Sequence, residues 1–240
     1  EGKKMIFESE IRTGIEDVGK NGLITDKAIL KMLENVGGYQ SDEIGYGVLD
    51  IPTNGVSWVI LEWKVKVIDR PRYGEKLLVR TWGRNPRKAY TFRDYEIYNS
   101  SHKLCVIATT KWALINMKTR KVEKITDDIV AKYKMEDRCV FEDRTIERIK
   151  IPTEFTNSTE YQIRRCNIDI NGHLHNTYYM DLAEEALPEK VYQTRPFDNI
   201  RISYKNEVKM GDIVECKYSY HNNKHIIVIQ NKETEILNAI

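Results

Sequence analysis

Asp169, Asn171 and His173 stand at alternate positions in the run Asp169-Ile170-Asn171-Gly172-His173-Leu174, immediately before a stretch with the apolar spacing of a helix. A carboxylate, an amide and an imidazole are the side chains that orient a base, place a water or a carbonyl, and move a proton. On an extended segment, side chains at i, i+2 and i+4 point to one side, which predicts that the three converge on one small volume. The bland alternative is a polar turn, because Asn171-Gly172 takes positive φ cheaply. A third reading takes His173 and His175 with Asp169 as two imidazoles and a carboxylate for a metal. No further cluster of cysteine and histidine surrounds that trio, and a site with no metal and no cofactor is expected. His102, His221 and His225 carry no motif and read as surface or strand residues.

Two halves of the chain repeat one order of elements. In the first, Ile29, Met32, Leu33 and Val36 fall at i, i+3, i+4 and i+7 of a helix over residues 25–36, which Thr25 or Asp26 can cap. A meander follows: Val59, Leu61, Trp63, Val65 and Val67 alternate with more polar neighbours, and residues 76–82, 89–98 and 104–115 are rich in β-branched and aromatic side chains. In the second half, Tyr179, Leu182, Ala183 and Ala186 form the same helical stripe, and strands are expected around Ile200 to Tyr204, Ile213 to Tyr220 and Ile226 to Gln230. Aligning Asn21-Gly22 with Asn171-Gly172 superposes the two stripes without a gap and, with an insertion, sets Tyr73-Gly74-Glu75 opposite Met210-Gly211-Asp212. That is an internal duplication. Its asymmetry carries meaning: Gly19 and Leu23 stand where the second copy has Asp169 and His173, so the second copy holds the chemistry and the first is free to shape a pocket.

The expected architecture is therefore α+β, with two tandem antiparallel sheets, each wrapped on a helix, joined edge to edge into one continuous sheet. Residues 1–135 form the binding half, 136–156 a charged connection, and 157–240 the reacting half. Residues 118–124, the most basic stretch nearby, read first as a solvated hairpin face. With 38 basic and 36 acidic side chains and 41% apolar residues, the chain has a core to bury and no overall field toward nucleic acid or a membrane surface. No apolar run approaches the roughly 18 residues that cross a bilayer, and no secretion signal opens the chain. Residues 1–4, ahead of Met5, read as an expression leftover. Cys105, Cys139, Cys166 and Cys216 lack close pairing, which fits free thiols in a reducing cytoplasm.

With the duplication in place, the chain resembles the acyl-acyl carrier protein thioesterases, the plant-type fatty acyl hydrolases and their bacterial relatives, which are double hotdog proteins. The resemblance rests on an Asp-x-Asn-x-His-x-x-Asn run, matched by Asp169, Asn171, His173 and Asn176, and on a Tyr-x-x-Glu segment, matched by Tyr204 to Glu207. It implies hydrolysis of a fatty acyl thioester on the phosphopantetheine of an acyl carrier protein, by a monomer or homodimer. His173 and Glu207 would then form the base pair, with Asn171 placing the water or carbonyl. A helix start near Asn176 would receive the developing oxyanion, and Gly172 would let the backbone approach. Asp169 either orients its neighbours or attacks the thioester itself. Trp58, Ile29 and Leu33 would line the acyl pocket in the first half. Plant members often carry a cysteine after the glutamate; here Val208 stands there, and a cysteine nucleophile at that place is excluded. The absence of a visible plastid transit segment points to a bacterial-type member. Hydratases of this fold space Asp and His by five, against four here. The alternatives are a coenzyme A thioesterase and a non-catalytic acyl-binding module. Carrier proteins are acidic, so Arg84, Arg87, Lys88, Lys118, Arg120, Lys121, Arg164 and Arg165 are candidates for the docking charge.

Overall fold

The protein is described here by a computed structural model over residues 6–240, so the reading of residues 1–4 lies outside the described residues. Its contacts divide the chain into two compact units: Glu1–Ile146 with Asp198–Arg201, and Glu147–Phe197 with Ile202–Ile240. In the six-stranded sheet the order is Phe7–Arg12, Lys76–Gly83, Tyr90–Asn99, Leu104–Asn116, Val56–Val67 and Asn199–Ser203, and in the four-stranded one Leu237–Ala239, Lys224–Asn231, Ile213–His221 and Asn157–Gln162.

In the first unit, β1 (Phe7–Arg12), β2 (Val56–Val67), β3 (Lys76–Gly83), β4 (Tyr90–Asn99) and β5 (Leu104–Asn116) pair antiparallel. Helix α1 (Asp26–Glu43) packs against β3 and β1 and buries Ile29, Met32, Leu33 and Val36 as the stripe predicts. Thr25 is the cap: its hydroxyl accepts from the Ala28 N–H at 3.1 Å. The helix runs seven residues past the predicted end at Val36. Gly37 does not stop it, because this glycine is required by packing: a Cβ there would lie 2.8 Å from the buried Tyr95 hydroxyl. The short helix α2 (Ile51–Asn54) leads into β2. The strict alternation expected along β2 fails at its start. A bulge places Leu61 as an extra residue between Ile60, opposite Trp112, and Glu62, opposite Lys111, so Ile60 is buried while Val59 is exposed.

This unit extends through a further helix and into the expected connection, as far as Ile146. Helix α3 (Asp127–Tyr133), capped by Thr126, closes a small core with Leu114 and Ile125, and Trp58 packs edge-on to Tyr133 with ring centroids 5.9 Å apart. Beyond it the chain straps across the sheet. The Trp82 indole N–H donates to the Arg138 carbonyl at 2.9 Å, and the Arg84 guanidinium donates to the Arg144 carbonyl and the Cys139 sulfur, both at 2.9 Å. Beneath lies Asp94, fully buried, 3.1 Å from Arg84 Nε. Burial raises its carboxyl from 3.8 to about 6, against the pull of Arg84 and of a hydrogen bond from Thr109. A carboxyl with a raised folded value keeps its proton longer folded than unfolded, so its contribution is greatest below the unfolded value and falls as pH rises through the folded one. Asp94→Asn is expected to remove a loss of stability between about pH 4 and about pH 6. Urea unfolding across that interval checks this, and an unchanged slope in the variant would exclude Asp94 as its source.

In the second unit, β6 (Asn157–Gln162), β8 (Ile213–His221), β9 (Lys224–Asn231) and β10 (Leu237–Ala239) form the sheet, and α4 (Tyr178–Glu185) lies on it, followed by α5 (Glu189–Tyr192). Tyr179, Leu182 and Ala186 join Val214, Cys216, Ile229 and Ala239 in one buried cluster. Between the helices and β8 runs β7 (Asn199–Ser203). Its first residues cluster with the first unit; its last, Ser203, exchanges backbone hydrogen bonds of 2.8 and 3.0 Å with Ile240.

Candidate active site

The run around His173 is a tight turn, so the expected extended segment with three converging side chains is not what forms. The Asp169 N–H donates to the His173 carbonyl at 2.8 Å and the Gly172 N–H to the Asp169 carbonyl at 3.1 Å. Asp169 holds the turn through its carboxylate, whose Oδ1 accepts from the N–H groups of Asn171 at 2.8 Å and His173 at 3.1 Å. Asn171 is exposed, and the hydrogen bond it makes here is through its backbone. Gly172 has φ +80, which explains the glycine; a Cβ there would meet nothing within 4 Å, so close backbone approach is not its role.

His173 then forms an isolated antiparallel bridge with Lys209, and the Leu174 N–H donates to the Val208 carbonyl at 2.8 Å. This pairing sets the segment after β7 beside the turn. Glu207 and His173, distant in sequence, meet there with Glu207 Oε2 3.0 Å from His173 Nε2; the imidazole is 21% and the carboxylate 47% exposed. Water therefore reaches the pair. Tyr204 ties this segment to the start of the helix: its hydroxyl donates to the Asn176 carbonyl at 3.0 Å and its ring meets Tyr179 edge-on. Burial first, then the charges of Glu207, Asp169 and Asp212, push the Tyr179 hydroxyl upward, so it stays neutral beside the carboxylates.

Asn176 precedes the helix by two residues, with Thr177 between. His175 turns back on this start: its Nδ1 lies 3.4 Å from the Thr177 N–H and 3.1 Å from the Thr177 hydroxyl. Among the described residues no group of three or more His, Cys, Asp or Glu is placed so that it could hold a metal.

The first copy reproduces this backbone hydrogen bond for hydrogen bond. Gly19 N–H to Leu23 carbonyl at 2.9 Å matches Asp169 to His173, Gly22 at φ +72 matches Gly172, and the Leu23–Arg72 bridge matches His173–Lys209. The same register sets Arg70 at the place of Glu207 and Asp26 at that of Asn176. There Arg70 Nη1 donates to Asp26 Oδ1 at 2.8 Å, and the pair is buried. The copy is closed by an ion pair where the other carries a base.

Asn238 escaped the sequence reading. Its carbonyl accepts from the Lys205 and Asn206 N–H groups at 2.8 and 3.3 Å, as Cys105 does from Ile68 and Asp69 in the first copy. Only Asn238 adds a side chain, whose amide donates to the carbonyls of Asn206 and Glu207 at 3.3 and 3.4 Å. No sequence signal marks it, because it lies 31 residues from Glu207. Of the remaining candidates, Ile29 and Leu33 are fully buried in the first unit and Trp58 half-buried there. Arg84 is buried against Asp94, which removes it from any docking charge, and residues 118–121 are the exposed turn that the solvated reading describes.

The chain is similar to known proteins over both units. Residues 4–133 match the model of the acyl-ACP thioesterase N-terminal domain and residues 149–238 that of the C-terminal domain. Oleoyl-acyl carrier protein thioesterase 1, chloroplastic, of Arabidopsis thaliana is 24% identical over 215 residues, covering 83% of this chain and 59% of that protein. The chain thus spans about three fifths of the length of this curated relative. An acyl-ACP thioesterase structure from Bacteroides thetaiotaomicron superposes with a TM-score of 0.87 at 23% identity, covering 98% of this chain and 95% of that one. The 12:0-ACP thioesterase of Umbellularia californica gives 0.86 at 16%, with 98% and 96% covered. These likenesses establish the α+β hotdog-type fold, and with both domain models matched the chain belongs to the acyl-ACP thioesterase family.

Proposed function

We propose that this chain hydrolyses the thioester of a fatty acyl-acyl carrier protein to the free acid and the holo carrier. The 3.0 Å contact between His173 and Glu207 carries the reading, because it sets a water-accessible base pair beside a helix start in a chain of this family. Thioester hydrolysis needs an activated water and a place for the developing oxyanion; a thiolate leaves with little help. Glu207 orients the imidazole or takes the water proton itself. Asn171 places the water or the carbonyl, and the positive end of the α4 dipole favours the oxygen gaining charge. Asp169 fits the orienting role better than the attacking one, since Oδ1 is engaged by two backbone amides of its own turn. The four free cysteines accord with a cytoplasmic setting.

Purified protein given acyl-carrier and acyl-coenzyme A substrates in parallel should release free acid faster from the carrier. Preference for the coenzyme would overturn the carrier assignment, and release from neither would overturn the hydrolase.

The second part of the proposal assigns the acyl chain to the first unit, with Trp58, Ile29 and Leu33 at its pocket. Each buried methylene is worth about 0.8 kcal/mol, or roughly fourfold in kcat/KM. Trp58→Ala is expected to move the preferred chain toward longer acids by that factor per carbon accommodated. Lowered stability with an unchanged product profile would refute this division of labour.

A further inference from the structure

We propose that Asn238 is a positioning residue for the reaction: from β10 it holds the backbone at Asn206 and Glu207 and so aims the Glu207 carboxylate at His173. The inference rests on the hydrolase reading above and adds a residue that acts through Glu207 without touching substrate. The segment that bears Glu207 is not itself a strand. β7 ends at Ser203, and the chain bends at Asn206 before the Lys209 bridge. A carboxylate on a flexible side chain wanders unless the backbone beneath it is fixed. β10 fixes it from one side. Backbone hydrogen bonds join Ser203 to Ile240 and bring the Lys205 and Asn206 N–H groups to the Asn238 carbonyl, and the Asn206 side-chain amide donates to the Leu237 carbonyl at 2.7 Å. The Asn238 side chain reaches one residue further, to the Glu207 carbonyl. Its bonds to Asn206 and Glu207, 3.3 and 3.4 Å, are long, and what they add is direction: one NH₂ group shared by two successive carbonyls orients both peptide planes.

The first copy holds the same bend by other means. Pro71 stands where the second copy has Val208, since the Ile24 N–H donates to the Pro71 carbonyl at 2.9 Å as the Leu174 N–H does to that of Val208. A proline ring fixes its own φ and confines the residue before it to extended backbone, so Arg70 is restrained without side-chain help. Cys105 then suffices at the place of Asn238, and its thiol turns away to the Lys103 carbonyl. Val208 supplies no such restraint, and there the amide appears. Asn238 is 2% exposed, and among the described residues its Oδ1 has no hydrogen-bond partner. A buried oxygen without a partner costs stability, so the amide is a poor choice for the fold alone. Its other end holds the residue that carries the carboxylate.

Asn238→Cys installs the first-copy residue and removes both donors. Its kcat for acyl thioester hydrolysis should fall about tenfold or more, as when a reacting group is misplaced by a fraction of an ångström, with KM little changed. Its urea midpoint should hold or rise, because the unpartnered oxygen leaves with the amide. In a Glu207→Ala background the same exchange should slow hydrolysis no further, since no carboxylate is left to aim. Adding Val208→Pro to Asn238→Cys supplies the first copy's own restraint and should restore the rate. A full rate in Asn238→Cys overturns the inference. So does equal slowing with and without the Glu207 carboxylate, a raised KM at constant kcat, or loss of the fold, which would make the amide a structural part. A folded Val208→Pro, Asn238→Cys variant as slow as Asn238→Cys alone overturns it as well. Full activity in Glu207→Ala would instead refute the base pair on which the inference rests.

Discussion

His173→Ala is expected to lower kcat for acyl thioester hydrolysis by about 10²–10⁴-fold, the usual contribution of a positioned general base. The fold should survive. The turn that carries His173 is held by backbone groups and by Asp169, and alanine keeps every one of those bonds. Glu207→Gln separates the two roles left open for the carboxylate. A glutamine can still accept a hydrogen bond from Nε2, so if Glu207 only orients the ring, 3.0 Å away, much of the rate should remain. If Glu207 takes the water proton, the amide cannot replace it and the loss should equal that of His173→Ala. Two groups acting as a unit are not additive, so the double variant should be no slower than the slower single one. Multiplying losses would mean that the two act in separate steps, and a wild-type rate in His173→Ala would remove the imidazole from the mechanism.

The sequence disclosed those parts of the fold that depend on short-range patterns. The stripe of Ile29, Met32, Leu33 and Val36 and the β-branched runs of the meander are local amphipathic signals, and they appear where the periodicity puts them. The edge strands Phe7–Arg12 and Asn157–Gln162 carried no such signal, being short and largely polar, as a sheet edge tolerates. The bulge at Leu61 inverted the expected faces at the start of β2, because alternation assumes that every residue is paired. The site followed the same division. Asp169 and His173 were legible as a cluster within one turn, and Glu207 only through the family motif. Asn238, the strap over Asp94 and the pairing of Asp26 with Arg70 were not legible, since each depends on residues that only the folded register brings together.

Arg70→Met is expected to destabilise the first unit by about 3–5 kcal/mol, the largest stability effect we anticipate from an exchange outside the apolar core. Arg70 is 7% exposed and Asp26 not at all. Removing the guanidinium leaves a carboxylate in the interior with part of its compensation gone, and the Ile24 carbonyl loses a donor 2.9 Å away. Asp26 keeps the help of its position in the first turn of α1, where backbone amides favour a negative charge, which holds the loss near the lower end of that range. If the cost comes from an uncompensated charge, removing the charge too should return stability, so Arg70→Met with Asp26→Asn should be more stable than Arg70→Met alone. All four tryptophans fall between Trp58 and Trp112, within the first unit, so tryptophan fluorescence reads its unfolding selectively. A double variant no better than the single one would mean that Arg70 acts through Ile24 and the chain around it. The ion pair would then be a consequence of the closed first copy, not the thing that closes it.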